Sequence, residues 1–238
     1  MMRNKWLRVL VLVAVGAMLL ALPLAGCKKQ AGTAGGEQTP GGQPPGYGVV
    51  GGGGSGGSPA AVGFFKFQPG QYLKYRVSVA GATEGWFTVN ITDGGSGKLK
   101  LDVAGNYAGQ TFSGTVTAST DTVANDTIQG LSGNPFAMLC VVPLFSIPWN
   151  QYFLDANLEL GKKWSYEAPG VKVEFEVTGT QTYAGLTGSV GTWKTTSGGQ
   201  TMTCSFCVNP SLPMALYVKY YVTPASWLEY TLLEATGF

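Results

Sequence analysis

Residues 171–177 read "VKVEFEV", in which Val171, Val173, Phe175 and Val177 alternate with Lys172, Glu174 and Glu176. Successive side chains of a β-strand point to opposite faces, so this stretch predicts a strand with one buried and one wetted face. The same period recurs elsewhere. Tyr75, Val77 and Val79 alternate with Arg76 and Ser78 in "YRVSV". Leu99, Leu101 and Val103 alternate with Lys98, Lys100 and Asp102, and Leu228, Tyr230 and Leu232 with Trp227, Glu229 and Thr231. One-sided strands of this kind belong to antiparallel sheets rather than to parallel sheets covered on both faces.

Turn signals separate the strands: "QPGQ" at 68–71, "DGGSG" at 93–97, "SGG" at 197–199 and "NPSLP" at 209–213. The strongest helical candidate is "NQYFLDANLEL" at 150–160. The expected fold class is therefore all-β with a minor α component: a curled antiparallel sheet of about eight to eleven strands, as a half-barrel, barrel or sandwich. "YAGQTF" at 107–112 and "YAGLTG" at 183–188 open similarly. Similar hairpin chemistry used twice explains this without a duplication.

Residues 131–154, "LSGNPFAMLCVVPLFSIPWNQYFL", carry no charge. Pro135, Pro143 and Pro148 oppose a regular helix or a central strand, yet the segment's apolar side chains must be covered. It reads as a core-filling loop, an irregular cap on one end of the sheet, or a lid over an apolar cavity. In the lid reading Phe136, Met138, Leu144, Phe145 and Trp149 line the ligand site, with Met138 supplying adaptability.

The chain has no histidine, which removes the commonest general base and metal ligand together. Asp102, Glu174 and Glu176 fall on wetted strand positions and Asp93 in a turn, so no carboxylate pair stands out for acid–base chemistry. "TCSFC" at 203–207 is a C-x-x-C, but in a strand the two thiols point to opposite faces, a poor geometry for a Cys204–Cys207 bridge. A zinc site needs ligands beyond Cys140. The cysteines therefore read as one structural disulfide, Cys140 with Cys204 or Cys207, or as three reduced thiols. No metal and no cofactor is expected.

At the N-terminus Arg3, Lys5 and Arg8 precede an uncharged run at 9–25, followed by small residues before Cys27. Basic start, apolar middle and small residues at a cleavage point make a secretory signal peptide over 1–26. Leu24-Ala25-Gly26-Cys27 resembles the lipobox of bacterial lipoproteins, which implies that Cys27 becomes the acylated first residue of the mature protein. The competing reading is a retained transmembrane helix, but the run is short for one and Pro23 interrupts its last turn. Several acyl chains on one residue anchor stably, placing the protein outside the cytoplasm, on the cell membrane or the outer membrane. No Asp follows Cys27, which by analogy with lipoprotein sorting favours the outer membrane.

Removing the signal peptide changes the charge from 15 basic against 13 acidic residues to 12 against 13. With no basic patch left, nucleic acid is not an expected partner. Residues 27–62 follow as the lipidated cysteine plus a Gly-rich tether, 13 of the 35 residues from Lys28 to Val62 being glycine. Such a composition cannot bury enough apolar surface to order itself. Residues 63–238 then form a single β-rich domain.

A lipobox, a tether, a curled antiparallel sheet and an apolar covering segment together resemble the LolA/LolB and LppX-type lipoproteins. The order "YAGLTGSVGTW…MTCSFCVNPSLPMALYVKYYV…LEYTLLE" is also similar to β-rich bacterial domains of unknown function related to them. The resemblance implies a half-barrel around an apolar cavity that accepts acyl chains; it carries over no functional residue. Three functions follow: a non-catalytic module holding an acyl chain or lipid, a structural or protein-interaction envelope lipoprotein with a solid core, or an enzyme. The missing histidine and the low charge oppose the last.

Overall fold

A computed structural model of the chain describes residues 66–79, 84–145, 158–168, 170–209, 211–223 and 226–238. The expected signal peptide, Cys27, the expected tether and most of the 150–160 helix candidate lie outside the described residues.

The alternating stretches are strands. In chain order they are β1 (Tyr72–Val79), β2 (Gly85–Gly95), β3 (Lys98–Tyr107), β4 (Gln110–Ser119), β5 (Lys163–Ala168), β6 (Val171–Tyr183), β7 (Leu186–Ser197), β8 (Gln200–Val208), β9 (Ala215–Thr223) and β10 (Ser226–Thr236). Between β4 and β5 lie α1 (Val123–Leu131), a 3₁₀ turn (Ala137–Cys140) and the short helix α2 (Val141–Phe145).

All ten strands form one antiparallel sheet in the order β4-β3-β2-β1-β10-β9-β8-β7-β6-β5. Two meanders, β1–β4 and β5–β10, are joined where the first strand pairs with the last, Tyr72 opposite Thr236 and Val79 opposite Leu228. The sheet does not close into a barrel: β4 and β5 are its two edges. The chain between them must travel from one edge of the sheet to the other, and the apolar 131–154 segment is part of that journey.

Most of the predicted inward residues are buried, while Val79 and Val171, at strand ends, are half-buried, and Ser78, expected on the wetted face, is buried. Tyr75, Val77, Leu99, Leu101, Val103, Val173, Phe175, Val177, Leu228, Tyr230 and Leu232 are buried. The core has two parts. The larger lies on β1–β3 and β10 with the helical crossover; the smaller centres on β6–β9, where Phe175 and Phe206 stack with centroids 5.5 Å apart. Gly191 makes room for this stack, because a Cβ there would sit 2.5 Å from the Phe206 ring and collide with the Glu176 carbonyl.

The sheet is strongly curled. Bulges interrupt β6 between Val177 and Gly179 and β8 between Cys207 and Val208, and bulges sharpen local twist. The end of β6 consequently reaches strands it does not pair with: Tyr183 stacks on Tyr217 of β9 at 5.5 Å, and the Cys207 thiol of β8 donates to the Gln181 carbonyl at 3.6 Å.

The two "YAG" stretches are two-residue hairpin turns of one type. Ala108 and Gly109 have φ of 52° and 79°, and Ala184 and Gly185 have 50° and 80°, with Tyr107 opposite Gln110 and Tyr183 opposite Leu186. Positive φ at both central residues matches the twist of the flanking strands.

The helix α1 is not signalled by the sequence, since Asn125, Asp126, Thr127 and Gly130 are poor helix formers. Packing decides instead. Val123, Thr127 and Leu131, spaced by four, are buried against the sheet, and Gly130 is required because a Cβ there would lie 2.7 Å from Val116. The Asp126 carboxylate accepts from Thr122 Oγ1 at 2.7 Å and from the Ser119 amide at 3.0 Å, joining the end of β4 to the first helical turn. Prolines are tolerated in a first turn, so Pro143 opposes regular helix less than expected; it is the third residue of α2.

Candidate functional site

The crossover begins with Asn134. Its side-chain carbonyl accepts from the amides of Phe136 at 3.1 Å and Ala137 at 3.2 Å, and its Nδ2 donates to the Ser113 carbonyl of β4 at 3.4 Å. This fixes where the apolar segment leaves the edge of the sheet. Gly114 next door permits the approach, since a Cβ there would lie 2.7 Å from Leu131.

Of the five ligand-site candidates, three can be placed. Phe136 is half-buried between Tyr107 and Phe112, with ring centroids 6.3 and 6.2 Å away. Met138 is half-buried against the same core. Leu144 is fully buried in it. Phe145 ends α2 but its side chain lies outside the described residues, as does Trp149 entirely. The structure thus brings Phe136, Met138 and Leu144 onto one core, together with Leu139, Cys140 and Val141.

Of the two arrangements the sequence allowed, a disulfide or three reduced thiols, the structure has Cys140, Cys204 and Cys207 as free thiols. Cys140 and Cys207 belong to the larger core and Cys204 to the smaller, which separates Cys204 from the other two. Burial pushes all three thiols up, Cys207 to about 11 even though backbone hydrogen bonding at Gln181 and Gly188 acts to lower it, so they are poor nucleophiles.

The acids stand where the pattern put them. Asp102 pairs with Lys100 at 3.0 Å and accepts from Thr115, and Asp93 accepts from the Gly95 amide in its turn. Glu174 pairs with Lys172 at 2.9 Å and Glu176 with Lys163 at 2.8 Å. The last two border an open groove of about 430 Å³ on β5–β7, which Lys194 and Thr192 also line. Apart from Phe175 its lining residues are charged or hydroxyl-bearing, and it includes none of the apolar site residues expected from the sequence. Among the described residues, no group of three or more histidines, cysteines or acids is placed to hold a metal ion.

One cluster escaped the sequence reading. Lys219 and Glu229, directly opposite on β9 and β10, pair at 2.8 Å and are each only 18 % exposed. The Lys219 ammonium lies 4.0 Å from the Trp227 ring centroid and 5.4 Å from that of Tyr221. Burial acts to lower its pKa, but hydrogen bonding and attraction to Glu229 prevail and raise it. Register alone could have suggested the pair, once β9 and β10 were known to be neighbours.

No family model and no curated protein matches the chain. The chain is similar to several solved structures at low identity and low TM-score. One is a Bacteroides fragilis protein described as exported and having a YmcC-like fold, at 11% identity and a TM-score of 0.33, over 75% of this chain and 100% of that one. Another is the hypothetical lipoprotein YmcC of Escherichia coli, at 12% identity and a TM-score of 0.30, over 70% of this chain and 86% of that one.

Proposed function

We propose that the protein is a non-catalytic envelope lipoprotein, acylated at Cys27, tethered by residues 28–62, and holding an apolar ligand such as an acyl chain between its sheet and the crossover. What supports this is the course of the chain between β4 and β5. The sheet stays open, and among the described residues part of its core face is covered by the short helical pieces between residues 123 and 145. A cover of short helical pieces packed through apolar side chains opens more readily than a strand paired into the sheet. The proposed lining is Phe136, Met138, Leu144, Phe145 and Trp149. Acyl chains on Cys27 attach the domain to the membrane from which such a ligand would come.

The test is titration of residues 28–238, which contain every described element, with the fluorescent apolar probe N-phenyl-1-naphthylamine. Saturable enhancement near one probe per chain, reversed by a phospholipid, is the expected result; no enhancement would reject ligand binding. The second reading, a structural or protein-interaction lipoprotein with a solid core, draws on the full burial of Cys140, Val141 and Leu144.

A further inference from the structure

Side chains of β1 alternate between the core and the outer face: Leu73, Tyr75 and Val77 are buried, while Lys74 and Arg76 point the other way. The solvated face of an antiparallel sheet should carry polar side chains. Around β1 it also carries apolar ones. Trp86 of β2 is 44 % exposed and Leu233 of β10 is 47 % exposed. The strands that hold them are the two neighbours of β1, so they flank it from strands about 10 Å apart. Leu233 is the extra residue of the β10 bulge opposite Lys74 and Tyr75.

Two cations lie between these apolar groups. The Lys74 ammonium is 5.8 Å from the Trp86 ring centroid, and Arg76 is directly opposite Trp86 in the register. Two acids adjoin them. Glu234 is directly opposite Lys74, and the Glu84 carboxylate accepts from Ser78 Oγ at 3.4 Å. The patch is therefore amphipathic rather than strongly basic. A tryptophan, a leucine and two long cationic side chains suit the boundary between water and lipid. There the apolar groups enter the acyl region while the cations reach phosphate oxygens.

The patch also lies where the tether arrives. The described chain starts at Lys66 and enters β1 at Tyr72. The C-terminus returns to the same place: a Cβ on Gly237 would lie 2.6 Å from the Gly70 carbonyl. Phe238, which follows, is 42 % exposed. Three of the four exposed large apolar side chains among the described residues thus lie on or beside β1, β2 and β10. The fourth, Leu160, precedes β5 at the edge of the sheet.

We propose that the outer face of β1, β2 and β10 around Trp86 and Leu233 is a contact surface for a phospholipid bilayer. The proposal rests on the acylation of Cys27 proposed above. So few apolar groups bind a bilayer weakly by themselves, and a membrane-anchored tether supplies the effective concentration that makes such a contact persist.

The test anchors residues 28–238 to vesicles through an amino-terminal hexahistidine tag and a nickel-chelating lipid, which places the tether on the membrane without acylation. The vesicles contain phosphatidylcholine and phosphatidylglycerol, with or without bromine on the phosphatidylcholine acyl chains, where it quenches tryptophan by contact. The expected result is bromine-dependent quenching that disappears in Trp86→Phe and in Arg76→Glu/Leu233→Ser. It should persist in Trp227→Phe, which alters the half-buried tryptophan beside Lys219. Trp86→Phe decides alone should the double variant unfold. Quenching that is absent, or unchanged in Trp86→Phe, would overturn the bilayer contact while leaving acylation and the apolar ligand standing. Emission from Trp86 that shifts with surface density but ignores bromine would mean that a second copy covers the face, and would also overturn it. A mature protein whose mass shows no acyl chain on Cys27 would overturn both the contact and the anchoring.

Discussion

The Tyr75 hydroxyl donates to the Ala215 carbonyl at 2.6 Å, joining β1 to the start of β9 across 140 residues of sequence. Tyr75 is fully buried, stacks on Phe87 at 5.2 Å, and has its pKa raised well above the ordinary range by that burial. The bond ties the two meanders together inside the core, beside the backbone ladder that joins β1 to β10.

Tyr75→Phe strands a buried carbonyl. It should destabilise by about 1–3 kcal/mol and lower the thermal midpoint by several degrees for a domain of this size. Tyr230→Phe deletes a hydroxyl that has no partner, and should leave the midpoint unchanged or raise it. Thermal unfolding of the two variants side by side checks the contrast. Equal losses would contradict it.

Gly191→Ala places a methyl against the Glu176 carbonyl and the Phe206 ring. Because backbone is one of the obstacles, relief requires the strands to shift, at a cost of about 1–3 kcal/mol as in other overpacked cores. Gly179, at the bulge, has open space where its Cβ would be, and Gly179→Ala should stay within about 0.5 kcal/mol of the parent. Urea unfolding measures both.

Ala108 and Ala184 hold left-handed backbone, with φ of 52° and 50°. An L-residue with a Cβ is strained there by about 1–2 kcal/mol, and glycine is not, although glycine gives back part of that through unfolded-chain entropy. Ala184→Gly should therefore raise stability by up to about 1 kcal/mol, as should Ala108→Gly. A lowered urea midpoint in either would contradict the turn assignment.

The three buried thiols should resist a disulfide reagent in the folded protein at pH 8 and react promptly after unfolding. Cys207, whose pKa is pushed up to about 11, is the one expected to report alkaline opening. A thiol pKa raised above its unfolded value contributes stability that is fully present below the unfolded value and declines as pH rises through the folded one. Stability linked to Cys207 should thus hold up to about pH 8.5 and fall between there and pH 11. A Cys207→Ala variant should show a shallower loss over that window in urea unfolding.

The strands were legible because their pattern is local. "VKVEFEV", "KLKLDV" and "YRVSV" each carry their own buried face, and the structure buries the residues the period selects except Val79 and Val171, which are half-buried. What is not local was not legible. The pairing of β1 with β10 and the opposition of Lys219 to Glu229 depend on which strands are neighbours, and no periodicity encodes that. The helix α1 forms on residues of poor intrinsic propensity, held by Val123, Thr127 and Leu131 against β4, so tertiary packing overrides a correct local expectation. Apolar lining and apolar core also share one sequence pattern: Leu144 was selected as lining and is fully buried in the core.

The central claim is that the sheet and its crossover carry an apolar ligand, and native mass spectrometry of residues 28–238, paired with organic extraction of the same sample, tests it most directly. A bound species of lipid mass, recovered in the extract and lost in a Phe145→Asp/Trp149→Asp variant that keeps its far-ultraviolet spectrum, is the predicted result. A clean ligand-free mass that remains unchanged after incubation with phospholipid vesicles would contradict it and leave a solid-core envelope protein.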